Sequence, residues 1–170
     1  MSFVLWFTGL PCSGKTTLAK KLNSKIPNIE VLDGDELVKM LSFDLSWSKE
    51  SRINHTKIYA QIVKLLLKHN VPVCIASISP FRESRIAARN IIDSTNFFEV
   101  YIECSVNVCE NRDVKGMYKQ AKSGKLENFC GVNETYDIPE NPDLIINTEN
   151  NTIEKNILEI TQFLESKSLI

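Results

Sequence analysis

The sequence lacks an excess of charge of either sign, and this limits the partners that it can attract. Its 170 residues include 20 lysines and arginines against 21 aspartates and glutamates, so the formal net charge is −1. A balanced charge gives no long-range attraction to nucleic acid or to an anionic membrane surface. We therefore expect no nucleic-acid or membrane partner, and any bound anion must be held by a local site.

Long hydrophobic runs and paired cysteines are missing as well. Apolar runs such as Val4 to Phe7 and Leu65 to Leu67 are far shorter than the roughly 20 residues of a membrane-spanning helix, and no basic segment precedes the first of them. The five cysteines are an odd number without C-x-x-C spacing, which argues against a full disulfide set and against a zinc ribbon. We expect a cytoplasmic protein with no membrane span and no targeting segment.

The composition indicates one globular domain. With 43% apolar and 24% charged residues, the chain lies in the ordinary globular range, and its length is close to the roughly 150 residues of a typical domain. It contains no internal repeat, low-complexity tract or interdomain linker. We predict a single domain over residues 1–170, whose core needs neither a disulfide nor a metal.

Short β-rich runs alternate with longer helical patterns, which is typical of a parallel sheet covered by helices. The predicted strands lie near 3–8, 29–32, 71–77, 97–103 and 143–147. The predicted helices lie at 14–25, at 49–69 with Ser48 as the N-cap, and at about 152–166 with Asn151 and Glu154 as a capping pair. The predicted fold class is α/β, with a doubly wound, mostly parallel sheet of about five strands and helices on both faces.

One segment does not fit this alternation. Residues 112–142 are rich in Lys, Gly, Asn and Glu and show little hydrophobic period. An irregular segment of this length inside a compact domain usually has a functional role. We expect these residues, called the lid segment below, to form a lid.

The strongest motif follows the first predicted strand. Gly9 to Thr16 reads Gly-Leu-Pro-Cys-Ser-Gly-Lys-Thr, which matches GxxxxGK[ST] and leads directly into a helical pattern. In such a loop the backbone N–H groups face phosphate oxygens, Lys15 reaches the β- and γ-phosphates, and Thr16 offers a hydroxyl to Mg²⁺. The alternative, a glycine-rich turn with a surface lysine, does not require this order of strand, loop and helix. The motif predicts a P-loop fold that binds a nucleoside triphosphate.

Two further predicted strands end in polar residues at the edge where open α/β sheets bind ligands. Asp33 and Asp35 could orient Mg²⁺ and water or accept a proton from an attacking hydroxyl. The alternative is an Asx turn in which Asp35 caps the next helix. The strand at 71–77 leads to a short run that favours substrate contact, although a proline there also suits a helix start; the run is Ile78, Ser79 and Pro80.

Three classes of protein could use this site: a GTPase switch, a nucleotide-binding module and a small-molecule kinase. A GTPase needs an Asn/Thr-Lys-x-Asp motif after a late strand, and the sequence has none; Asp113 to Gly116 matches DxxG only behind a helical run. A binding module needs no lid and no paired carboxylates at a strand end. The pattern favours a kinase, and a non-catalytic ATP-binding domain stays open as an alternative.

Seven blocks spread over nearly the whole chain resemble adenylylsulfate kinases. They are Gly9 to Thr17, Leu32 to Asp35, Asp44 to Ser48, Ile78 to Arg82, Cys109 to Tyr118, Asn128 to Gly131 and Pro139 to Pro142. The resemblance implies that the γ-phosphoryl group of MgATP passes to the 3′-hydroxyl of adenosine 5′-phosphosulfate, usually in a homodimer. It implies that ATP is bound by Gly9, Pro11, Cys12, Ser13, Gly14, Lys15, Thr16, Thr17 and Arg112.

The resemblance also implies catalytic and acceptor-binding roles. By position, Asp35 accepts the 3′-hydroxyl proton, Lys15 reaches the transferred phosphate, and Asp33 with Thr16 holds Mg²⁺, partly through water. Trp47 and Phe129 sandwich the acceptor's base, because each aromatic stack contributes about 1–3 kcal/mol and a lid closes the sandwich; core packing is the alternative for both. The other acceptor contacts are Arg52, Lys115, Ile78, Ser79 and Pro80, with Arg112 and Lys115 as lid cations that neutralise phosphate charge.

Departures from the family pattern lie on the acceptor side. Val38 stands where the family has an arginine that grips the acceptor's anionic 5′ end. His55 stands where the family has an asparagine, with Asn54 displaced by one, and the family's Gly-Phe-Thr-Gly is Asn128 to Gly131. Loss of an ionic hydrogen bond costs about 1.5–3 kcal/mol, which is enough to change acceptor preference tenfold or more.

We therefore interpret the acceptor site as altered, with Val38 and His55 among its contacts. A similar subgroup phosphorylates the 3′-hydroxyl of cytidine diphosphoramidate in capsule phosphoramidate biosynthesis, and the terminal amide of that acceptor replaces an anionic oxygen. The alternative is a genuine adenylylsulfate kinase in which a residue such as Lys39 compensates for the missing arginine. A non-catalytic ATP-binding domain is the second alternative.

Overall fold

The computed structural model describes residues 2–41 and 47–170; of the blocks named above, Asp44 to Ser46 lie outside the described residues. The strands are β1 (Val4–Thr8), β2 (Glu30–Asp33), β3 (Val73–Ala76), β4 (Phe97–Glu103) and β5 (Leu144–Asn147). The helices are α1 (Lys15–Asn23), α2 (Gly34–Met40), α3 (Lys49–Lys68), α4 (Arg82–Ile92), α5 (Val106–Arg112), α6 (Met117–Lys122) and α7 (Ile153–Ser166).

The described strands form one parallel sheet in the order β2-β3-β1-β4-β5. All five residues of the central strand β1 are buried. A strand covered on both faces has no polar side, so its sequence is a continuous apolar run without alternation. The predicted α/β class and its five-stranded parallel sheet are therefore confirmed.

Alternate residues of β1 supply the two halves of the core. Leu5 and Phe7 belong to a buried cluster with Leu18 of α1 and Ile160 of α7. Trp6 belongs to a second cluster, on the other face, with residues of α2, α3 and α4. The helices therefore cover both faces of the sheet.

The helix caps test the sequence interpretation locally. The hydroxyl of Ser48 accepts a hydrogen bond from the Ser51 N–H at 3.2 Å, so the predicted cap of α3 is confirmed. The predicted cap of α7 is wrong by one residue. The hydroxyl of Thr152, not a side chain of Asn151, accepts from the Lys155 N–H at 3.2 Å.

The lid segment is less irregular than its sequence suggests. It contains α6, and the carboxylate of Asp113 accepts hydrogen bonds from the N–H groups of Tyr118 and Lys119 at 3.0 and 3.1 Å. Asp113 thus stabilises the first turn of α6 and does not belong to a DxxG nucleotide motif. A six-residue helix is shorter than two turns, so its sequence shows no recognisable hydrophobic period.

No helix in the two described stretches of chain is long and apolar enough to cross a membrane. The expected cytoplasmic location and the single domain over residues 1–170 stay predictions.

Candidate active site

A cleft of about 750 Å³ opens at the carboxyl edge of the sheet, and most of the predicted site residues line it. On the phosphate side they are Pro11, Cys12, Gly14, Lys15, Thr16, Thr17, Asp33, Asp35 and Arg112. On the acceptor side they are Val38, Trp47, Arg52, His55, Ile78, Ser79, Pro80, Lys115 and Phe129. Gly9 and Ser13 are not part of this wall, and they contribute by shaping the loop.

The loop between β1 and α1 can only be built with glycine at two positions. A Cβ on Gly9 would lie 2.6 Å from the Ile102 carbonyl oxygen, inside any real contact distance. Gly14 has φ +101°, a left-handed conformation that side chains disfavour. These two glycines let the backbone turn tightly into the N-terminus of α1, which is the arrangement that binds phosphate.

The ammonium group of Lys15 is folded back onto this loop. It donates hydrogen bonds to the carbonyl oxygens of Gly9 and Leu10 at 2.9 and 2.7 Å, and it lies 3.3 Å from the Ser13 hydroxyl. Burial lowers the pKa of Lys15 to about 8, although nearby groups including Asp35 act in the opposite direction. A bound phosphate would supply the missing negative charge, so the site is built for an anion.

Asp33 joins the phosphate loop to the end of β2. Its Oδ2 accepts a hydrogen bond from the Thr16 hydroxyl at 2.6 Å, and its Oδ1 accepts from the Asp35 N–H at 2.9 Å. Asp33, and not Asp35, is therefore the cap of α2. The hydroxyl of Thr16 and the carboxylate of Asp33 are hard oxygen donors a hydrogen bond apart, a set that fits Mg²⁺ when phosphates and water complete its shell.

Asp35 stands in the first turn of α2 and pairs with a cation from the lid segment. Its Oδ2 accepts a hydrogen bond from the Lys115 ammonium, and both side chains are at least half exposed. This hydrogen bond raises the pKa of Lys115. The pair spans the cleft, so Lys115 lies close to the carboxylate that the sequence assigns to proton transfer.

Arg52 connects the two aromatic residues predicted to hold the acceptor. Its Nε donates to the carbonyl oxygen of Trp47 at 3.1 Å, and a terminal nitrogen donates to that of Asn128 at 2.7 Å. The guanidinium lies 4.9 Å from the centre of the Trp47 ring. Arg52 is buried, and its hydrogen bonds join Trp47 to the part of the lid segment next to Phe129.

Phe129 is more deeply packed than a freely moving lid residue. It is 4% exposed and meets Tyr118 edge-on, with ring centres 4.9 Å apart. Cys109 and Cys104 belong to the same buried cluster. Phe129 therefore packs in a core cluster and also lines the cleft, and its stacking on the acceptor's base stays a prediction.

The run after β3 is fixed mainly by contacts within the protein. The hydroxyl of Ser79 accepts from the Trp6 indole at 3.1 Å and lies 3.2 Å from the Ser77 hydroxyl. Pro80 does not start a helix, since α4 begins at Arg82 behind Phe81. These residues line the cleft, and Ser79 is held there by hydrogen bonds within the protein.

Arg112 binds to both the phosphate loop and the end of β5. It donates to the Cys12 carbonyl oxygen at 3.2 Å and to the Thr148 carbonyl oxygen at 2.6 Å. The Thr148 hydroxyl in turn donates to the Ser13 carbonyl oxygen at 2.6 Å. Thr148 and the cleft residues Asn151 and Asn156 were not predicted as site residues, although the position of Thr148 just beyond a strand end could have identified it.

The chain matches the family model for adenylylsulphate kinase at residues 1–147. It belongs to the adenylylsulphate kinase family. The adenylyl-sulfate kinase of Staphylococcus haemolyticus is 38% identical, over 99% of this chain and 87% of that protein. The probable adenylyl-sulfate kinase of Aeropyrum pernix is 41% identical, over 91% of this chain and 87% of that protein. The solved APS kinase of Mycobacterium tuberculosis, in complex with AMPPNP and APS, is 34% identical, with 96% of this chain and 98% of that chain covered and a TM-score of 0.88.

Membership of the adenylylsulphate kinase family confirms the predicted P-loop kinase fold and the predicted enzyme class, a phosphotransferase with an alcohol group as acceptor. The relatives described above carry the name adenylyl-sulfate kinase. They offer no support for the cytidine diphosphoramidate subgroup and favour the alternative, adenylylsulfate.

Val38 and His55, which are predicted to depart from the family pattern, both line the cleft. Val38 is 7% exposed and packs in the same cluster as Leu37 and Tyr59 while it also lines the cleft. The Nε2 of His55 lies 3.3 Å from the Ser51 hydroxyl. Lys39, the residue considered as a compensating cation, is exposed and lines the cleft next to Val38.

Proposed function

We propose that this adenylylsulphate kinase family member transfers the γ-phosphoryl group of ATP to the 3′-hydroxyl of a 5′-modified nucleotide. One observation carries the proposal: a single cleft joins the phosphate loop to Asp35. The donor phosphates and a hydroxyl acceptor can therefore meet without any rearrangement of the sheet. A non-catalytic ATP-binding domain would not need the pair of Asp35 and Lys115 in the same cleft as the phosphate loop.

Each residue has a definite part in this reaction. The loop N–H groups, Lys15 and Arg112 hold the donor phosphates, and Asp35 takes the proton of the attacking hydroxyl. Lys115, beside Asp35, offsets the negative charge that develops during transfer. Thr16 and Asp33 would hold Mg²⁺, partly through water, and the ion would supply positive charge to the donor phosphates.

Adenylylsulfate is the acceptor that the comparisons favour. The relatives named above are adenylyl-sulfate kinases, and the Mycobacterium tuberculosis structure contains APS together with AMPPNP. The exposed Lys39 supports this acceptor, since a cation that lines the cleft can attract an anionic 5′ group.

Cytidine diphosphoramidate is the second candidate, and Val38 is the observation that favours it. A buried isopropyl group faces the cleft where the family pattern has an arginine. An acceptor whose terminal amide replaces an anionic oxygen loses less from this exchange than a sulfate does. A capsule-related role rests on this acceptor and stands or falls with it.

The acceptor is decided by comparing kcat/KM for adenylylsulfate and cytidine diphosphoramidate at one saturating MgATP concentration. A preference of tenfold or more for either nucleotide assigns it. The Val38→Arg variant should shift the ratio toward adenylylsulfate by about tenfold, and Val38→Leu, which adds no charge, serves as its control. Thermal stabilisation by ATP without any 3′-phosphorylated product from either nucleotide would contradict the proposed activity and favour the non-catalytic domain.

Two further expectations of the sequence analysis stay proposals. We propose a homodimer, and two exposed apolar residues spaced by seven on α3, Ile58 and Leu65, give it a candidate surface. We also propose that the lid segment opens to admit nucleotides. Static light scattering tests the first, where a monomer mass contradicts it, and hydrogen exchange with and without ATP tests the second.

A further inference from the structure

Tyr118 lies behind the wall of the cleft and contacts residues on both the donor side and the acceptor side. It is fully buried in the lid segment, in the first turn of α6, and it does not line the cleft itself. Its hydroxyl donates to the Pro11 carbonyl oxygen at 3.0 Å, and its ring meets Phe129 edge-on. One side chain thus contacts the phosphate loop on the donor side and an aromatic wall on the acceptor side.

The hydrogen bond to Pro11 controls the orientation of one peptide unit. No peptide bond in the described chain is cis, and in a trans peptide the C=O and the N–H point in opposite directions. The Cys12 N–H therefore points away from Tyr118, and Cys12 lines the cleft. A donor bound to the Pro11 oxygen also polarises this N–H, which strengthens the hydrogen bond it can give to a phosphate oxygen.

The surroundings of Tyr118 keep this arrangement in one state. Burial raises the pKa of the Tyr118 hydroxyl, so it stays protonated and able to donate. A Cβ on Gly131 would lie 3.5 Å from that hydroxyl and 3.4 Å from Leu10. Tyr118 and Phe129 share a buried cluster, where close packing leaves little free volume for one ring to move without the other.

We propose that Tyr118 is a positioning residue that couples the donor site to the acceptor site. Its hydroxyl orients the peptide that binds the donor phosphates, and its ring sets the position of Phe129 against the acceptor's base. The inference rests on the proposed function for the identity of the two ligands. It predicts that a bound donor increases the affinity for the acceptor, and that the increase requires the hydroxyl.

The test uses Tyr118→Phe, which removes the hydroxyl and keeps the ring against Phe129. Its matched control is Tyr136→Phe, which also removes a tyrosine hydroxyl with a 2.9 Å hydrogen bond, to Thr8, but outside the cleft. Calorimetry gives the Kd of a nonhydrolysable ATP analogue, and of adenylylsulfate and cytidine diphosphoramidate with and without that analogue. Thermal unfolding of each variant reports stability separately.

In the parent chain the analogue should tighten acceptor binding by about fivefold or more, the range of ordinary coupling. In Tyr118→Phe this factor should fall toward one, and the analogue itself should bind about two- to tenfold more weakly. Tyr136→Phe should keep the parent values even if it lowers the melting temperature.

Unchanged coupling and unchanged analogue affinity in a folded Tyr118→Phe protein overturn the inference, as does equal loss in Tyr136→Phe. A parent chain that phosphorylates neither nucleotide overturns the proposed function instead, and the affinity for the analogue then still decides the donor half of the inference.

Discussion

At the scale of single residues, hydrogen bonds within the phosphate loop hold a buried lysine at the place where an anion would bind. Lys15 is buried, yet its ammonium group is hydrogen-bonded to the loop carbonyl oxygens of Gly9 and Leu10. Those hydrogen bonds offset only part of the free-energy cost of burying the charged form, so the pKa of Lys15 is still lowered to about 8. The charge of one lysine therefore connects ATP binding to pH.

We expect ATP affinity to fall as pH rises above about 8. Below that pH Lys15 is protonated in the free protein; above it the lysine is increasingly neutral, and binding of the anion must recruit a proton. The Kd for ATP should then increase by up to about tenfold per pH unit, measured by calorimetry from pH 7 to 9.5. Lys15→Arg, charged over the whole range, should show no such slope, and a flat profile for the parent would contradict the assigned pKa.

The carboxylate of Asp35 supplies the second residue-scale prediction. Asp35→Asn keeps the shape but cannot take a proton, so kcat should fall by about 10²- to 10⁴-fold while the Kd for ATP stays within about threefold. Asp93→Asn makes the same chemical change at the end of α4, away from the cleft. If Asp35→Asn retains kcat, or if Asp93→Asn loses as much, Asp35 is not the proton acceptor.

At the scale of elements, arginines from two helices fasten distant segments to opposite ends of the cleft. Arg52 of α3 donates to carbonyl oxygens of Trp47 and Asn128 on the acceptor side. Arg112 at the end of α5 donates to carbonyl oxygens of Cys12 and Thr148 on the donor side. A lysine keeps the charge in each case but cannot bind two acceptors in this fork geometry.

Substitutions of the two arginines should therefore change different kinetic constants. Arg52→Lys should raise the KM for the acceptor by about tenfold and Arg112→Lys the KM for ATP by a similar factor, because each loses a charged hydrogen bond of about 1.5–3 kcal/mol. Each variant is the control for the other. Steady-state kinetics with either substrate varied measures both constants, and equal effects of both variants on both constants would show that they act only through stability.

At the scale of the whole molecule, a buried ion pair connects the segment after β3 to strand β4. The Nε of Arg85 donates to Glu99 of β4 at 2.6 Å, and both side chains are largely buried. The remaining nitrogens of Arg85 donate to the carbonyl oxygens of Ser79, Pro80 and Asp137. Arg85 thus links α4 to β4 and to the end of the lid segment.

Loss of Arg85 should be costly to stability. Arg85→Met leaves Glu99 without its main partner and three carbonyl oxygens without a donor, so the free energy of unfolding should fall by about 3–5 kcal/mol. Arg82→Met removes an exposed pair with Glu140 and should cost at most about 1 kcal/mol. Urea denaturation followed by fluorescence measures both, and similar losses would mean that the buried network contributes no more than a surface pair.

How well the sequence predicted the structure varies from element to element. The strands were predictable within one or two residues, because buried β-rich runs between turn signals are a local property; the prediction of 97–103 matches β4 residue for residue. The cap of α7 was misplaced, since Asn151 and Thr152 are both good caps and only the packing of the helix chooses between them. No bounds were predicted for α2, α4, α5 and α6. A helix after Asp35 was considered only as an alternative, and a helical run before Asp113 was noted without bounds, because six or seven residues carry too little hydrophobic period to define a helix.

The sequence by itself determined the order of elements, the phosphate loop and the two carboxylates at the end of β2, because each depends on neighbours in the chain and on residue types that few other structures need. Only the tertiary structure decided which side chains meet across the cleft. The contacts of Arg52 with Asn128, of Arg112 with Thr148 and of Tyr118 with Pro11 join residues far apart in sequence. Such pairs leave no local pattern, since the sheet and its helices must assemble before the atoms come within hydrogen-bonding distance.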